Sequence, residues 1–512
     1  ALLLFALVHA LFAEDRVTPS AHIEEADVQA IQTLATPFSP EAVAVATGID
    51  AATIWALARA LAVTHKAAVY CRIGACTVEF GTLTNWLTLV LNALTGNLDQ
   101  VGGLMFPKPF FRGEATRAKQ FRMGRWSSRV RGYPEVRGEL PIATLADEIT
   151  TPGEGRVRAL VTVAGNPTLS APDSQRLTDA LGELDFMVSV DLYRNETSRH
   201  ADVVLPVPSA LERSHADLAF ANLSVRNVVN YSPALFPLPP GLRHEHEILT
   251  RLAMSAAGAG ANKPTESFED FALAYLVNAE VSASSSPLQG RKVGAIIAAL
   301  GTERGPERIL DFLLRAGPYG DHFGTRSDGW TLERLRETPH GVDFGALTPA
   351  LPGRLRTKSG RVELLPDAIS TDVGRLRTSL ETPREPGFRL IGRRHLRSNN
   401  SWMHNLPPLV KGKPRCTLQI HPADVARLGL SELAVVTSRV GRLLVPVEPT
   451  DRMMPGVVSL PHGWGHDVEG SALSVAREHG GVNSNELTDP LALDPLSGNA
   501  VLNGIPVTIV PG

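Results

Sequence analysis

Residues 158–191 read RALVTVAGNPTLSAPDSQRLTDALGELDFMVSVD, and their pattern decides the fold. The apolar run at 158–163 ends at the turn Ala164-Gly165-Asn166-Pro167, an amphipathic helix over 174–184 follows, and a second run at 186–190 closes on Asp191. Strand, helix and strand at this spacing imply parallel strands joined by a right-handed crossover. Ligands of such sheets collect beyond the carboxyl ends of the strands, so Gly165, Asn166 and Pro167 are expected beside the loop from Asp191 to Thr197. Gly165 lets a ligand approach the backbone, Asn166 offers donors and an acceptor, Pro167 fixes the turn, and Asp191 stands where a carboxylate reads a ribose or a base. A third short strand is expected at 202–205, from Asp202 to the residue before Pro206.

Upstream, residues 1–13 (ALLLFALVHALFA) are too few to span a bilayer, lack the charged start of a signal peptide and are interrupted by His9, so they read as a buried helix. Residues 39–62 predict two short helices, the second capped by Asp50 with Ile54, Leu57, Ala58 and Leu61 on one face. Residues 67–71 (AAVYC) read as a buried strand, and 82–94 as a helix stopped at Gly96. Residues 107–137 form the one basic stretch, with Lys108, Arg112, Arg117, Lys119, Arg122, Arg125, Arg129, Arg131 and Arg137 against Glu114 and Glu135. It reads either as a solvated loop or as a lining for an anionic ligand. Phe110, Phe111, Phe121 and Trp126 lie within it, but 50 Lys and Arg against 53 Asp and Glu leave no electrostatic footprint of nucleic acid or of an anionic membrane.

Downstream, residues 258–351 are interrupted by Gly, Ser and Pro and read as an insert with a few helices. A Pro-rich linker at 381–387 precedes short β-rich runs from 388 onward, the pattern of a compact barrel. The expected division is 1–105, 106–257, 258–380 and 388–512. Within the last part, residues 392–405 (GRRHLRSNNSWMHN) are dense in donors, which are costly to bury unless a ligand satisfies them. Arg397 and His404 read equally well as surface residues. The three cysteines, Cys71, Cys76 and Cys416, are too few for a disulfide framework, a four-thiolate cluster or a closed thiolate zinc site.

Several segments together resemble the molybdopterin-dependent oxidoreductases of the dimethyl sulfoxide reductase type, formate dehydrogenases among them. They are the helix from Phe80-Gly81-Thr82 to Leu94-Thr95-Gly96-Asn97 with Gly102-Gly103; the turn Ala164 to Pro167 with Asp191, Glu196-Thr197, Ala201 to Pro206 and Glu212; Ser359-Gly360-Arg361-Val362-Glu363; Ile420 to Asp424 with Gly429 and Ser438 to Gly441; and the tail 485–503. The resemblance implies doubly wound α/β domains followed by a six-stranded β-barrel. It also implies a bis-molybdopterin guanine dinucleotide centre with molybdenum or tungsten and a two-electron oxidation or reduction of a small substrate.

By resemblance, the cofactor-binding residues are Gly165, Asn166, Pro167, Asp191, Thr197 and Asp202, then Arg394, Ser398, Asn399, Asn400 and Ser401 in the first barrel loop. His462, Trp464, Asn485 and Thr488 in the tail complete the set. The family's [4Fe-4S] cysteines and its metal ligand would lie before Ala1, so no catalytic residue and no protein metal ligand is assigned. Where formate dehydrogenases carry an Arg near the metal, this chain has Phe106-Pro107-Lys108-Pro109; Lys108 is a candidate for holding a substrate anion, without a bidentate fork. The resemblance further implies a partner that is an electron-transfer subunit; a cytoplasmic location is the expectation, any export signal lying in the part expected before Ala1. The alternative is a non-catalytic scaffold of the same fold that has lost its metal.

Overall fold

A computed structural model describes residues 1–112, 122–260, 262–382 and 387–512. Helices Leu2–Ala13, Glu25–Ala35, Pro40–Thr47, Ala51–Val63 and Gly81–Leu94 pack around one core. The first is apolar all round and is accordingly buried, with Phe5 stacked on Phe38 at 4.5 Å. Pro40–Thr47 starts where Ser39 Oγ accepts from the Ala42 amide and stops at Gly48, φ 69°. Asp50 occupies the cap position of the next helix, but its side chain makes no capping bond. Helix Asp367–Glu381 closes this core from far along the chain with Ile369, Val373 and Leu376.

The strand expected at 67–71 does not form. Its central residue, Val69, has both backbone groups taken by one side chain: its amide donates to Asn92 Oδ1 at 3.1 Å, and Asn92 Nδ2 donates to its carbonyl at 2.9 Å. A carboxamide presents the same donor and acceptor as a neighbouring strand, so the segment stays extended without a ladder.

Strands β1 (Ala159–Val163), β2 (Phe186–Asp191) and β3 (Val203–Pro206) form a parallel sheet in that order. Helix Ser174–Leu181 crosses over it, burying Leu177, Ala180 and Leu181 against Met187 and Ile149. Val163 pairs with Val190, so the chain leaves β1 and β2 at neighbouring points of the same edge. Two small antiparallel pairs follow: β4 (His215–Ala216) with β6 (Tyr231–Ser232), and β5 (Arg226–Val229) with β7 (Val342–Ala346). The second pair stitches the insert to the preceding α/β part. Helices Glu266–Ser282, Val293–Ala298 and Pro306–Ala316 give the insert its own core of Leu273, Val277, Ile296 and Phe312.

Strands β8 (Phe388–Arg393), β9 (Leu418–Ile420), β10 (Leu433–Thr437), β11 (Arg442–Pro449), β12 (Val457–Pro461) and β13 (Ile505–Pro511) close into the compact barrel that the β-rich runs predict, with the six strands that the resemblance implies. β13 completes it by pairing with both β8 and β10. Leu390, Leu418, Val436, Val445, Val458 and Ile509 fill the interior. Among the described residues, no single helix is long and apolar enough to cross a membrane.

Arginines of the basic stretch meet carboxylates: Arg112 with Glu280 at 2.5 Å, Arg125 with Glu135 at 2.6 Å, Arg129 with Glu148 at 3.3 Å, and Arg131 with Asp147. Glu114, Arg117, Lys119 and Phe121 lie outside the described residues, as do residues 383–386 of the linker.

Candidate functional site

The turn after β1 is shaped by Ala164, whose φ of 52° takes the left-handed region, and its amide donates to the Val190 carbonyl at 2.9 Å. A Cβ on Gly165 would stand at ordinary van der Waals distance from the Val163 carbonyl oxygen (3.8 Å) and Pro167 Cδ (4.0 Å), so the backbone there is covered by no closer atom from elsewhere in the protein. Asn166 is fixed on both ends of its amide. Its Oδ1 accepts from the hydroxyls of Thr197 (2.7 Å) and Thr168 (3.2 Å), and its Nδ2 donates to Glu196 Oε2 at 2.8 Å. Pro167 begins the short helix Pro167–Ser170, whose Thr168 amide donates to Thr197 Oγ1. Asp191, buried at the end of β2, accepts from the Tyr193 amide and from Asn195 Nδ2 at 3.0 Å; burial pushes its carboxyl pKa up. Gly165, Asn166, Pro167, Asp191 and Thr197 therefore share one edge of the sheet, as the βαβ pattern requires.

Glu196 carries the site across to the barrel. Its Oε1 lies 2.9 Å from His466 Nδ1, His466 Nε2 lies 2.8 Å from His404 Nδ1, and His404 Nε2 lies 2.8 Å from Ser398 Oγ. Glu196, His466, His404 and Ser398 are 3%, 0%, 1% and 3% exposed, so water does not compete for these bonds. Burial, then the neighbouring His466, lowers the His404 pKa to about 3. Burial opposes ionisation of Glu196 as well, but the hydrogen bond from His466, the charge attraction of that ring when protonated and the hydrogen bond from Asn166 outweigh it and hold the carboxyl below its ordinary range.

The first barrel loop bends through Asn399 and Asn400, both at positive φ, and Arg394 donates to Asn400 Oδ1. Arg393 is occupied structurally, donating to the carbonyls of Ser459, Arg415 and Thr417. Ser401 is half-buried and its carbonyl accepts from the His404 amide. Trp464 is buried with its ring 4.0 Å from that of His404, and its indole Nε1 has no hydrogen-bond partner. A buried indole N–H ordinarily finds an acceptor, so this one points to a ligand atom. Burial, then Arg394, lowers the His462 pKa to about 4.

The tail residues serve a different contact. Asn485 Nδ2 donates to the Leu169 carbonyl at 2.6 Å, and the Thr488 carbonyl accepts from the Asp173 amide. Asn483 Nδ2 donates to the Thr168 carbonyl and to Ser174 Oγ, both at 2.8 Å. These residues clamp the barrel to the helices that follow the Asn166 turn. Asp202 lies at the opposite edge of the sheet, where its Oδ2 accepts from the Met187 amide at the start of β2. Lys108 is exposed on the side of the insert, its amide donating to Asn227 Oδ1 and its ammonium 5.5 Å from the Tyr319 ring. Among the described residues, no three His, Cys, Asp or Glu side chains converge as a metal-ligand set. The sequence reading quoted Glu196 within the motif but gave it no role, missed His466, and left His404 undecided.

An α/β sheet whose strand-end loop is hydrogen-bonded through Glu196, His466 and His404 to the donor-rich loop of a closed barrel, with a buried unpartnered indole N–H beside His404, is an arrangement suited to a large polar cofactor. The family comparisons give its class a name. A model described as "Molybdopterin oxidoreductase" matches residues 30–254, and one described as "Molydopterin dinucleotide binding domain" matches residues 388–506. The chain belongs to the molybdopterin oxidoreductases, and its relatives are consistent with the dimethyl sulfoxide reductase type.

It is 25% identical over 454 residues to a putative dimethyl sulfoxide reductase catalytic subunit of Halobacterium salinarum, covering 85% of this chain and 47% of the relative. It is 33% identical over 117 residues to the assimilatory nitrate reductase catalytic subunit of Bacillus subtilis, covering 23% of this chain and 16% of that one. Among solved structures it resembles acetylene hydratase from Pelobacter acetylenicus, with TM-score 0.71 at 16% identity, covering 100% of this chain and 70% of that chain. That likeness speaks to fold alone. The chain spans less than half the length of these two curated relatives.

Proposed function

We propose that this chain holds the cofactor of an oxidoreductase that carries out two-electron oxidation or reduction of a small substrate. The reading assigns it two molybdopterin guanine dinucleotides with molybdenum or tungsten, and a partner that is an electron-transfer subunit. When bound, that group supplies the redox chemistry. The chain's own share is to bind, orient and exclude water.

The observation that carries the reading is the unpartnered indole N–H of Trp464, buried in the barrel part against His404, the ring that links to Glu196 of the α/β part through His466. Gly165, which adds no side chain at the strand end, and the acceptor Asp191 suit a dinucleotide on the sheet side. Arg394, Asn399, Asn400 and His462 suit phosphate and pterin groups on the barrel side. The test is to purify the full chain after expression with molybdenum cofactor supply and to quantify pterin, guanine nucleotide, molybdenum and tungsten per chain. About two pterins and two guanine nucleotides per metal are expected. A chain that holds neither pterin nor metal overturns the reading.

A further inference from the structure

Asn166, Glu196, His466, His404 and Ser398 form an unbroken file of hydrogen bonds from the α/β sheet to the barrel loop, at 2.8, 2.9, 2.8 and 2.8 Å. Such a file has a direction, because a neutral imidazole donates at one ring nitrogen and accepts at the other. The direction is fixed at the Glu196 end. Asn166 Oδ1 is taken by two threonine hydroxyls, so its Nδ2 faces Glu196 as a donor. An ionised carboxylate only accepts, so His466 Nδ1 carries a proton. With His466 neutral, its Nε2 accepts from His404 Nδ1, and His404 Nε2 in turn accepts from the Ser398 hydroxyl.

We propose that Glu196 is a positioning residue which, through His466 and His404, turns the Ser398 proton inward and leaves the Ser398 oxygen able only to accept, so that this position selects an N–H or O–H donor on the bound group. The consequence for a ligand rests on the proposed function, through the assignment of Ser398 to the cofactor loop; the direction of the file does not. The charged or titratable groups facing the two rings are Glu196, from the loop after β2, and each ring itself. His395 and Arg415, both on the barrel side, act on His404 at longer range.

The full chain without cofactor suffices for the test. Nitrogen-15 NMR of labelled histidine distinguishes Nδ1–H from Nε2–H rings, and His404→Gln and His466→Gln assign the signals. At pH 8, above the ordinary imidazole range, both rings are expected in the Nδ1–H form. Glu196→Gln supplies the decisive contrast. Its carboxamide oxygen must face Asn166 Nδ2, so its N–H₂ faces His466 Nδ1 and both rings are expected to invert to Nε2–H. A residue that merely filled space would not invert them.

Ser398→Ala, at the far end of the file, is expected to leave both rings Nδ1–H, and it carries the test if Glu196→Gln does not fold. An Nε2–H ring at either histidine in the unsubstituted chain overturns the proposal. So do unchanged tautomers in folded Glu196→Gln, or changed ones in Ser398→Ala. Failure of the cofactor reading registers separately, as absent pterin and metal, and leaves these tautomers untouched.

Discussion

Asp494, in the tail of the barrel domain, accepts a hydrogen bond at 2.5 Å from Thr82 Oγ1, in the first turn of a helix 412 positions earlier. The carboxylate is 0% exposed and also accepts from the Ser497 amide and hydroxyl. It thus serves as a helix cap donated by another domain. Asp494→Ala strands these donors and is expected to cost about 1–3 kcal/mol, read as a lower first unfolding midpoint; Asp494→Asn, which keeps an acceptor, is expected to cost less. Equal midpoints for all three chains would remove the cap from the account.

Gly463 has φ 89°, and a Cβ there would fall well inside contact distance of the Asn400 carbonyl oxygen. Backbone cannot yield as a flexible side chain does. Gly463→Ala is expected to cost on the order of 3 kcal/mol in chemical unfolding and to lower the cofactor content of the purified chain. Native stability in this variant would show that the loop 399–401 repositions freely.

His404 and His462 are held neutral, at about 3 and about 4, whereas an unfolded imidazole titrates near 6.5. Between those values the unfolded chain binds the extra proton, so stability is intact above pH 6.5 and falls as the pH drops toward 4 for His462 and 3 for His404. At pH 5 the His404 contribution amounts to on the order of 2 kcal/mol. Urea unfolding at pH 7 and pH 5 is expected to show a smaller difference for His404→Gln than for the unsubstituted chain. Identical differences would contradict the burial argument.

Trp464→Phe keeps an aromatic ring against His404 and removes only the indole N–H. Stability is expected to change by less than about 1.5 kcal/mol, while pterin retained per chain after dialysis falls about fivefold, as for one lost hydrogen bond. Unchanged retention would mean that the N–H meets no ligand.

The βαβ unit and the barrel were legible in the sequence because their signals are local. Residues 158–191 change period from strand to helix and back, and β10, β11 and β13 are apolar runs bounded by turns. The segment 67–71 misled for a physical reason: its partner is the Asn92 side chain, 23 positions on from Val69, and no local pattern separates that from a strand. Asp202 precedes a parallel strand, which by itself places it at the amino edge of the sheet, away from the turn at Asn166. Glu196 and His466 are 270 positions apart, and nothing in the sequence around either one marks it as the other's partner. Only the closing of the barrel against the sheet makes them one site.

The clamps between domains also set a timetable. Thr77 waits for Asn503, Thr82 for Asp494, and Thr168 and Leu169 for Asn483 and Asn485. These contacts span more than 300 positions, and contacts of such span are the last to close. At about 5–20 residues per second of synthesis, the helix Gly81–Leu94 stands without its cap for about 20 to 80 s. Over that interval the nascent chain exposes the surfaces that Asn483, Asn485 and Asp494 later cover, and these are the surfaces a chaperone bound during synthesis would shield.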